Sequence, residues 1–121
     1  MTAPARILVV EDDASIRETL ELALGGAGYD VVTTRHGEDA LALLNETSVD
    51  AILLDARMPV MNGVEFATRL RARPGPRPPL ALLSAAQDGD IARQIGAGWI
   101  LVKPFELDAL FAVVEQMVAP A

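Results

Sequence analysis

The sequence contains no cysteine, a single lysine, a single histidine and few aromatic residues, which make up 4% of its 121 residues. The lack of cysteine excludes disulfide bonds, thiolate metal sites and a cysteine nucleophile. No apolar run approaches the ~20 residues of a membrane span, and the short polar start MTAPAR is not a secretory signal. We therefore expect a soluble, cytoplasmic protein that does not enter a membrane.

Positive charge is scarce as well. The chain has 17 acidic and 10 basic residues and a net charge of −7, so it could not neutralise a run of nucleic-acid phosphates. We expect no direct contact with nucleic acid and consider a basic partner surface more plausible. Hydrophobic residues are 51% of the chain, as in ordinary globular proteins, and the length suits one core. The sequence therefore predicts a single domain over residues 1–121.

Apolar and β-branched runs alternate with segments of helical periodicity along the whole chain. The runs predict strands at residues 6–10, 30–34, 51–54, 80–83 and 99–102. The periodic segments predict helices at residues 16–27, 38–45, 63–73, 91–95 and 106–118, the fourth being short and weak. This alternation predicts an α/β fold in which a five-stranded parallel sheet has helices on both faces.

Chemically active side chains follow four of the five predicted strands. Glu11-Asp12-Asp13 follows the first strand, Asp55 the third, Ser84 the fourth, and Lys103, the only lysine, the fifth. Ligands of such sheets bind outside the carboxyl ends of the strands, where these residues would meet. Taken alone, Asp55 could be only a turn residue, and the position of Lys103 could be due to chance. Four strand ends that all carry such side chains favour a functional site.

The residue types at this edge indicate phosphoryl chemistry. Several carboxylates in one crevice repel unless a cation lies among them, and Mg²⁺ prefers carboxylate and phosphate oxygens. A hydroxyl and an ammonium group next to such a cation would neutralise the oxygens of a phosphoryl group. An aspartate can itself be the nucleophile and form an acyl phosphate.

Four segments resemble the receiver domain of two-component response regulators, including the chemotaxis regulators. They are ILVVEDD at residues 7–13, LLDARMPVMNG at 53–63, Ser84-Ala85, and Gly96-Ala97 followed by LVKPF at 101–105. Each segment alone is weakly specific, but all four occur in order and at strand ends over nearly the whole chain. The resemblance implies a flavodoxin-like strand order, 2-1-3-4-5.

The resemblance also implies a role for each matching position. Asp55 matches the phosphoacceptor, which Ser84 would contact through its hydroxyl and Lys103 through its ammonium group once it is phosphorylated. Pro104 matches a proline that usually follows a cis peptide bond. The implied cofactor is Mg²⁺, with Mn²⁺ as an alternative. Its ligands would be Asp12, Asp55, the backbone carbonyl of Arg57 and, through water, Glu11.

A receiver domain is a regulatory phosphoacceptor and not an enzyme with a separate substrate. The implied partner is a histidine kinase or a histidine phosphotransfer protein, and the phosphorylated domain would switch conformation to control an output or another protein. Self-catalysed phosphotransfer and autodephosphorylation are expected. The sequence names neither the kinase nor the output, and it leaves open whether the domain is free-standing or part of a longer protein.

Two departures from the family pattern concern the switch. Ile100 stands where the family commonly has an aromatic residue, and the interval from Ser84 to Lys103 is shorter than usual by about one helical turn. The missing turn falls on the fourth helix, part of the usual output face. One alternative is therefore a receiver-like scaffold that no longer switches. Another is an aspartate-nucleophile phosphatase, although Glu11-Asp12-Asp13 lacks that family's two aspartates separated by one residue.

Other polar residues have less specific interpretations. Asp13 or Ser15 is expected to cap the first helix, Ser15 with the spacing of a capping box. His36, beside Gly37, is predicted to be a solvent-exposed turn residue. The arginines of residues 69–77 are predicted to form a solvated face, with an acidic partner as the alternative.

Overall fold

The computed structural model describes residues 3–58, 61–75, 77–85 and 89–119. Its strands are β1 (Arg6–Val10), β2 (Asp30–Thr34), β3 (Ala51–Asp55), β4 (Leu80–Ser84) and β5 (Trp99–Val102). Its helices are α1 (Ala14–Gly26), α2 (Gly37–Glu46), α3 (Gly63–Arg71), α4 (Gly89–Ile95) and α5 (Leu107–Val118). The predicted alternation of strands and helices is confirmed.

The five strands form one parallel sheet in the order β2-β1-β3-β4-β5. Val10 pairs with Leu54, Asp55 with Leu83, and Ser84 with Val102, so successive strands end at nearly the same level. β3 and β4 are buried along their whole length, as expected for parallel strands with helices on both faces. The predicted flavodoxin-like order is confirmed.

Alternating strand residues supply two separate cores. The core beneath α1 and α5 contains Leu20, Leu24, Leu110, Val114 and Met117 from those helices, together with Ile7, Val9, Ala51, Leu53, Ala81, Leu83 and Leu101. The core beneath α2, α3 and α4 contains Ala40, Phe66, Ala67, Leu70, Ala92 and Ile95, with Leu8, Val10, Ile52, Leu54, Leu80 and Leu82. The helices therefore cover both faces, as predicted, and hold the strand ends in fixed positions.

One helix end decides between two predicted caps, and another differs from the prediction. Asp13 is the N-cap of α1, because its carboxylate accepts a hydrogen bond from the backbone N–H of Ile16 at 3.1 Å. Ser15 lies inside the helix, so its alternative role as the cap is wrong. α3 ends at Arg71, before the predicted end at Arg73, because the residue preceding a proline such as Pro74 is disfavoured in helical conformation.

The β5 edge of the sheet is thinly covered. α4 has only seven residues and packs beside α3, as its weak sequence pattern predicts. Ile100 and Val102 each keep 45% of their surface exposed.

No helix in the described part of the chain is long and apolar enough to cross a membrane. The predicted turn at Met58-Pro59 and the loop at residues 86–88 lie partly or wholly outside the described residues.

Candidate functional site at the carboxyl edge of the sheet

Three polar side chains are buried where β1, β3 and β4 end. Glu11 is 1% exposed, Asp55 is 7% exposed and Ser84 is 3% exposed. Carboxylates are almost never this buried unless they are paired. A cationic partner is therefore required at this edge.

Lys103 is that partner, and it lies just beyond the end of β5. Its Nζ is 2.9 Å from Oε1 of Glu11 and 3.3 Å from Oδ1 of Asp55. Its backbone N–H donates to the carbonyl of Ser84 at 2.7 Å, and the peptide bond to Pro104 is cis, as the family resemblance implies. The only lysine of the chain thus joins two buried carboxylates at the predicted site.

Burial and pairing act in opposite directions on these groups. Burial raises the pKa of Glu11 above its ordinary value, although the hydrogen bond from Lys103 opposes that rise. Burial alone would lower the pKa of Lys103, but the hydrogen bond to Glu11 and the negative charges of Asp55 and Glu11 outweigh it and raise that pKa. The lysine therefore stays cationic at neutral pH.

The loop after β1 is held by contacts that the sequence analysis did not predict. Oε2 of Glu11 accepts a hydrogen bond from the backbone N–H of Asp13 at 3.1 Å. Nη1 of Arg17 lies 3.0 Å from the carbonyl of Glu11 and 3.3 Å from that of Asp12. Helical side chains point back toward the N-terminus, so the position of Arg17 in the first turns of α1 was the available signal.

His36 lies in the loop before α2, as predicted, but its side chain is only partly exposed, at 37%. It is the N-cap residue of α2, and its Nδ1 lies 3.9 Å from Oδ1 of Asp12. Nδ1 is buried without a hydrogen-bond partner among the described residues. A Cβ atom on the next residue, Gly37, would lie 2.8 Å from Sδ of Met61, so this loop packs closely against the segment that follows Asp55.

The donor groups at this edge fit a hard cation. Asp12 is half-exposed, and Asp55 accepts a hydrogen bond from the backbone N–H of Arg57 at 3.3 Å. Within the described ranges no three His, Asp or Glu side chains are grouped so that they alone could hold a metal ion. A cation here would depend on two carboxylates, a backbone carbonyl and water, a ligand set that suits Mg²⁺.

The fold and the site together define a class of protein: doubly wound parallel sheets with an acid and lysine cluster at the carboxyl edge. The family model for the response regulator receiver domain matches residues 7–115. The chain belongs to this family, whose members are regulatory domains that are phosphorylated and bind Mg²⁺ in the active site.

Two curated relatives are response regulators of greater length. The chain is 40% identical over 119 residues to the transcriptional regulatory protein PrrA of Mycobacterium bovis, covering 97% of this chain and 51% of the relative. It is 39% identical over 116 residues to the DNA-binding transcriptional regulator NtrC of Salmonella typhimurium, covering 93% of this chain and 24% of the relative. The chain thus spans about half and about a quarter of these proteins.

Solved structures agree with the fold over nearly the whole chain. A putative response regulator from Chloroflexus aurantiacus is 34% identical with a TM-score of 0.90, covering 97% of this chain and 99% of that one. The chemotaxis response regulator CheY4 of Vibrio cholerae is 31% identical with a TM-score of 0.84, covering 94% and 98%. The receiver domain of sensor histidine kinase PA1611 from Pseudomonas aeruginosa, 30% identical with a TM-score of 0.88 and covering 96% and 98%, is described with a magnesium ion coordinated in its active site cleft.

Proposed function

We propose that Asp55 accepts a phosphoryl group from a phosphohistidine of a histidine kinase or a histidine phosphotransfer protein. The observation that carries this proposal is the contact of Lys103 with buried Asp55 at the carboxyl edge of the sheet, 3.3 Å from Nζ to Oδ1. The ammonium group of Lys103 pairs with the Asp55 carboxylate, and it can pair instead with the phosphoryl oxygens once Asp55 carries a phosphoryl group. In this proposal residues 1–121 act as one receiver domain in the cytoplasm.

In the transfer step an oxygen of the Asp55 carboxylate attacks the phosphorus atom of the donor. The new P–O bond forms an acyl phosphate as the P–N bond to the donor histidine breaks, and the released imidazole takes up a proton from solvent. Lys103 neutralises the phosphoryl oxygens, and the buried hydroxyl of Ser84, on the neighbouring strand, donates to one of them. In autodephosphorylation, water attacks the same phosphorus atom, the P–O bond to Asp55 breaks, and inorganic phosphate leaves, so that the Asp55 carboxylate is restored.

The residues that would hold the cation are Asp12, Asp55 and the carbonyl of Arg57, with Glu11 acting through water. Glu11 is already bonded to Lys103 and to the backbone of Asp13, so a water-mediated role is consistent with its position. A Mg²⁺ or Mn²⁺ ion bound there would neutralise the charge on the phosphoryl oxygens during transfer.

The test is phosphorylation of the whole chain by phosphoramidate or acetyl phosphate with and without Mg²⁺. We expect the intact mass to rise by one phosphoryl group only with Mg²⁺, and peptide mapping to place that group on Asp55. Asp55→Asn should abolish the gain, whereas Asp108→Asn, a matched change of an exposed aspartate on α5, should preserve it. An unchanged mass, beside a control receiver that gains the group, would refute the proposal.

A second candidate is a receiver-like scaffold that binds partners without switching. The position expected to carry an aromatic switch residue holds Ile100, which is 45% exposed. The neighbouring Trp99 is tied to α5, because its Nε1 donates to Oε1 of Gln116 at 2.9 Å. Backbone amide chemical shifts that change only around Asp55 on phosphorylation would favour the scaffold, and shifts that extend through β5 and α4 would favour a switch.

A further inference from the structure

A cavity of about 530 Å³ lies at the amino edge of the sheet, at the opposite ends of β4 and β5 from Asp55. Arg71 and Arg77 line it together with Trp99, and the buried side chains of Leu80 and Ile95 contribute its apolar floor. Its volume is within the range of small-ligand pockets. None of these residues belongs to the phosphoacceptor site.

Among the described residues, no acidic side chain neutralises either arginine of this cavity. No acidic residue occurs in the sequence between Glu65 and Asp88. Arg71 donates only to the carbonyl of Gln94, at 3.2 Å, and neither Arg71 nor Arg77 forms an ion pair within the described part of the chain. In a chain with a net charge of −7, two arginines that line one cavity, in a stretch of sequence without an acidic residue, are a local excess of positive charge.

Arginines elsewhere on the same helices are paired. Arg69 lies 3.6 Å from Glu65 one turn earlier on α3, and Arg93 pairs with Asp90 on α4. The lack of an acidic partner is therefore not a general property of the arginines on α3 and α4.

The walls of the cavity are held in position before any ligand arrives. The hydrogen bond from Arg71 to the carbonyl of Gln94 fixes one guanidinium group. Pro78 and Pro79 restrict the backbone beside Arg77. Groups that are already ordered lose little entropy on binding, which favours affinity.

We propose that this cavity binds an acidic peptide segment of a partner protein. Carboxylates of the segment pair with Arg71 and Arg77, whose planar guanidinium groups suit bidentate bonds to carboxylates, and an apolar side chain of the segment packs on the floor between them. A nucleic acid is disfavoured because the remaining surface, with its net negative charge, repels a long polyanion. The proposal does not depend on phosphorylation of Asp55.

An unbiased test is selection of a random heptapeptide phage library on the immobilised full chain. We expect selected peptides to be enriched in Asp and Glu beside an aliphatic or aromatic residue. The synthetic form of the most enriched peptide should bind the full chain in an isothermal calorimetric titration. Each arginine should contribute, so Arg77→Gln should weaken binding by about tenfold or more.

The control for the loss of charge is the double variant Arg69→Gln/Arg93→Gln. It has the same net charge as Arg71→Gln/Arg77→Gln but leaves the cavity intact, so it should bind the peptide within about twofold of the wild type. Arg77 forms no hydrogen bond or ion pair within the described residues, so we expect Arg77→Gln to fold as stably as the wild type, which a thermal scan verifies.

Three results would overturn the proposal. One is a selection in which the peptides are not enriched in Asp and Glu. Another is equal weakening of peptide binding by both double variants, which would show that the effect depends only on net charge. The third is tighter binding of AMP or an oligothymidine than of the selected peptide in the same calorimetric titration, which would assign the cavity to nucleotides.

Discussion

Lys103→Met tests the electrostatic centre of the site without a large change in side-chain volume. Nζ of Lys103 contacts Glu11 at 2.9 Å and Asp55 at 3.3 Å, and these carboxylates are almost fully buried. Removing the ammonium group leaves two negative charges together in a region with little water. We therefore expect the variant to be less stable than the wild type at neutral pH.

The size of the loss follows from burial. Removing one partner of a fully buried ion pair costs about 3–5 kcal/mol, whereas an exposed pair contributes ~1 kcal/mol or less. The side chain of Lys103 is 26% exposed, so some solvent screening applies. We expect a loss of about 2–4 kcal/mol in the free energy of unfolding, nearer the buried limit than the exposed one.

The loss should depend on pH with a definite sign. The pKa of Glu11 in the folded chain is raised above 4.5 by burial, and the bond from Lys103 partly opposes that rise. In Lys103→Met the pKa of Glu11 rises further, so folded Glu11 binds its proton at higher pH than unfolded Glu11 does. When the pH falls through the pKa of folded Glu11 toward 4.5, folded Glu11 becomes neutral and the variant regains stability. The difference in free energy of unfolding between the variant and the wild type therefore becomes smaller.

The assay is urea denaturation followed by far-UV circular dichroism at neutral pH and at intervals toward the acidic side. Arg93→Met, which removes an exposed cation from α4, should change stability by about 0.5 kcal/mol or less at every pH. Adding Glu11→Gln to Lys103→Met should recover part of the loss, because one of the two unpaired charges is then gone. A loss that is independent of pH, or no larger than that of Arg93→Met, would refute the reasoning.

Three further changes can be measured by the same denaturation assay. Asp13→Ala should cost about 1 kcal/mol because it removes the side-chain cap of α1, whereas Ser15→Ala should have little effect. Gly37→Ala should cost about 1–3 kcal/mol because its Cβ would lie 2.8 Å from Sδ of Met61, and this cost should be smaller in a Met61→Ala background, where only the 3.3 Å contact with Phe66 remains. Leu110→Ala should cost about 2–5 kcal/mol, because Leu110 is completely buried between α5 and the sheet. If Asp13→Ala, Gly37→Ala or Leu110→Ala lowers the free energy of unfolding by less than about 0.3 kcal/mol, that result contradicts the contacts described for the position concerned.

Much of the fold could be predicted because parallel strands with helices on both faces leave a strong pattern in sequence. The runs at residues 51–54 and 80–83 are unbroken and apolar, and the structure buries both completely. The strand ends carried the polar residues, and parallel connectivity brings those ends to one edge. The strand order came from the family resemblance, since periodicity alone does not distinguish between neighbours in a sheet.

The contacts within the site were harder to predict because they depend on tertiary structure. Sequence reasoning placed Lys103 near a phosphoryl group but did not predict its bond to Glu11, which is 92 positions away. The loop position of His36 was predicted but its partial burial was not, because a histidine before a glycine resembles a fully exposed turn, whereas Gly37 packs closely against Met61. Local patterns do not report such packing between loops.

The short α4 has a consequence for how a signal could leave the site. Ile100 and Val102 lie on the same side of the edge strand β5 and are both about half-exposed, so α4 does not provide a closed pocket for a switching side chain there. The direct link from the site to this strand is the backbone bond from Lys103 N–H to the carbonyl of Ser84, 2.7 Å long. Ser84 and Lys103 are the two residues expected to contact the phosphoryl group, so a displacement of either one acts on the end of β5 through the main chain. Because Ile100 is two residues before that end, transmission through the backbone does not require the aromatic side chain that the family commonly has at this position.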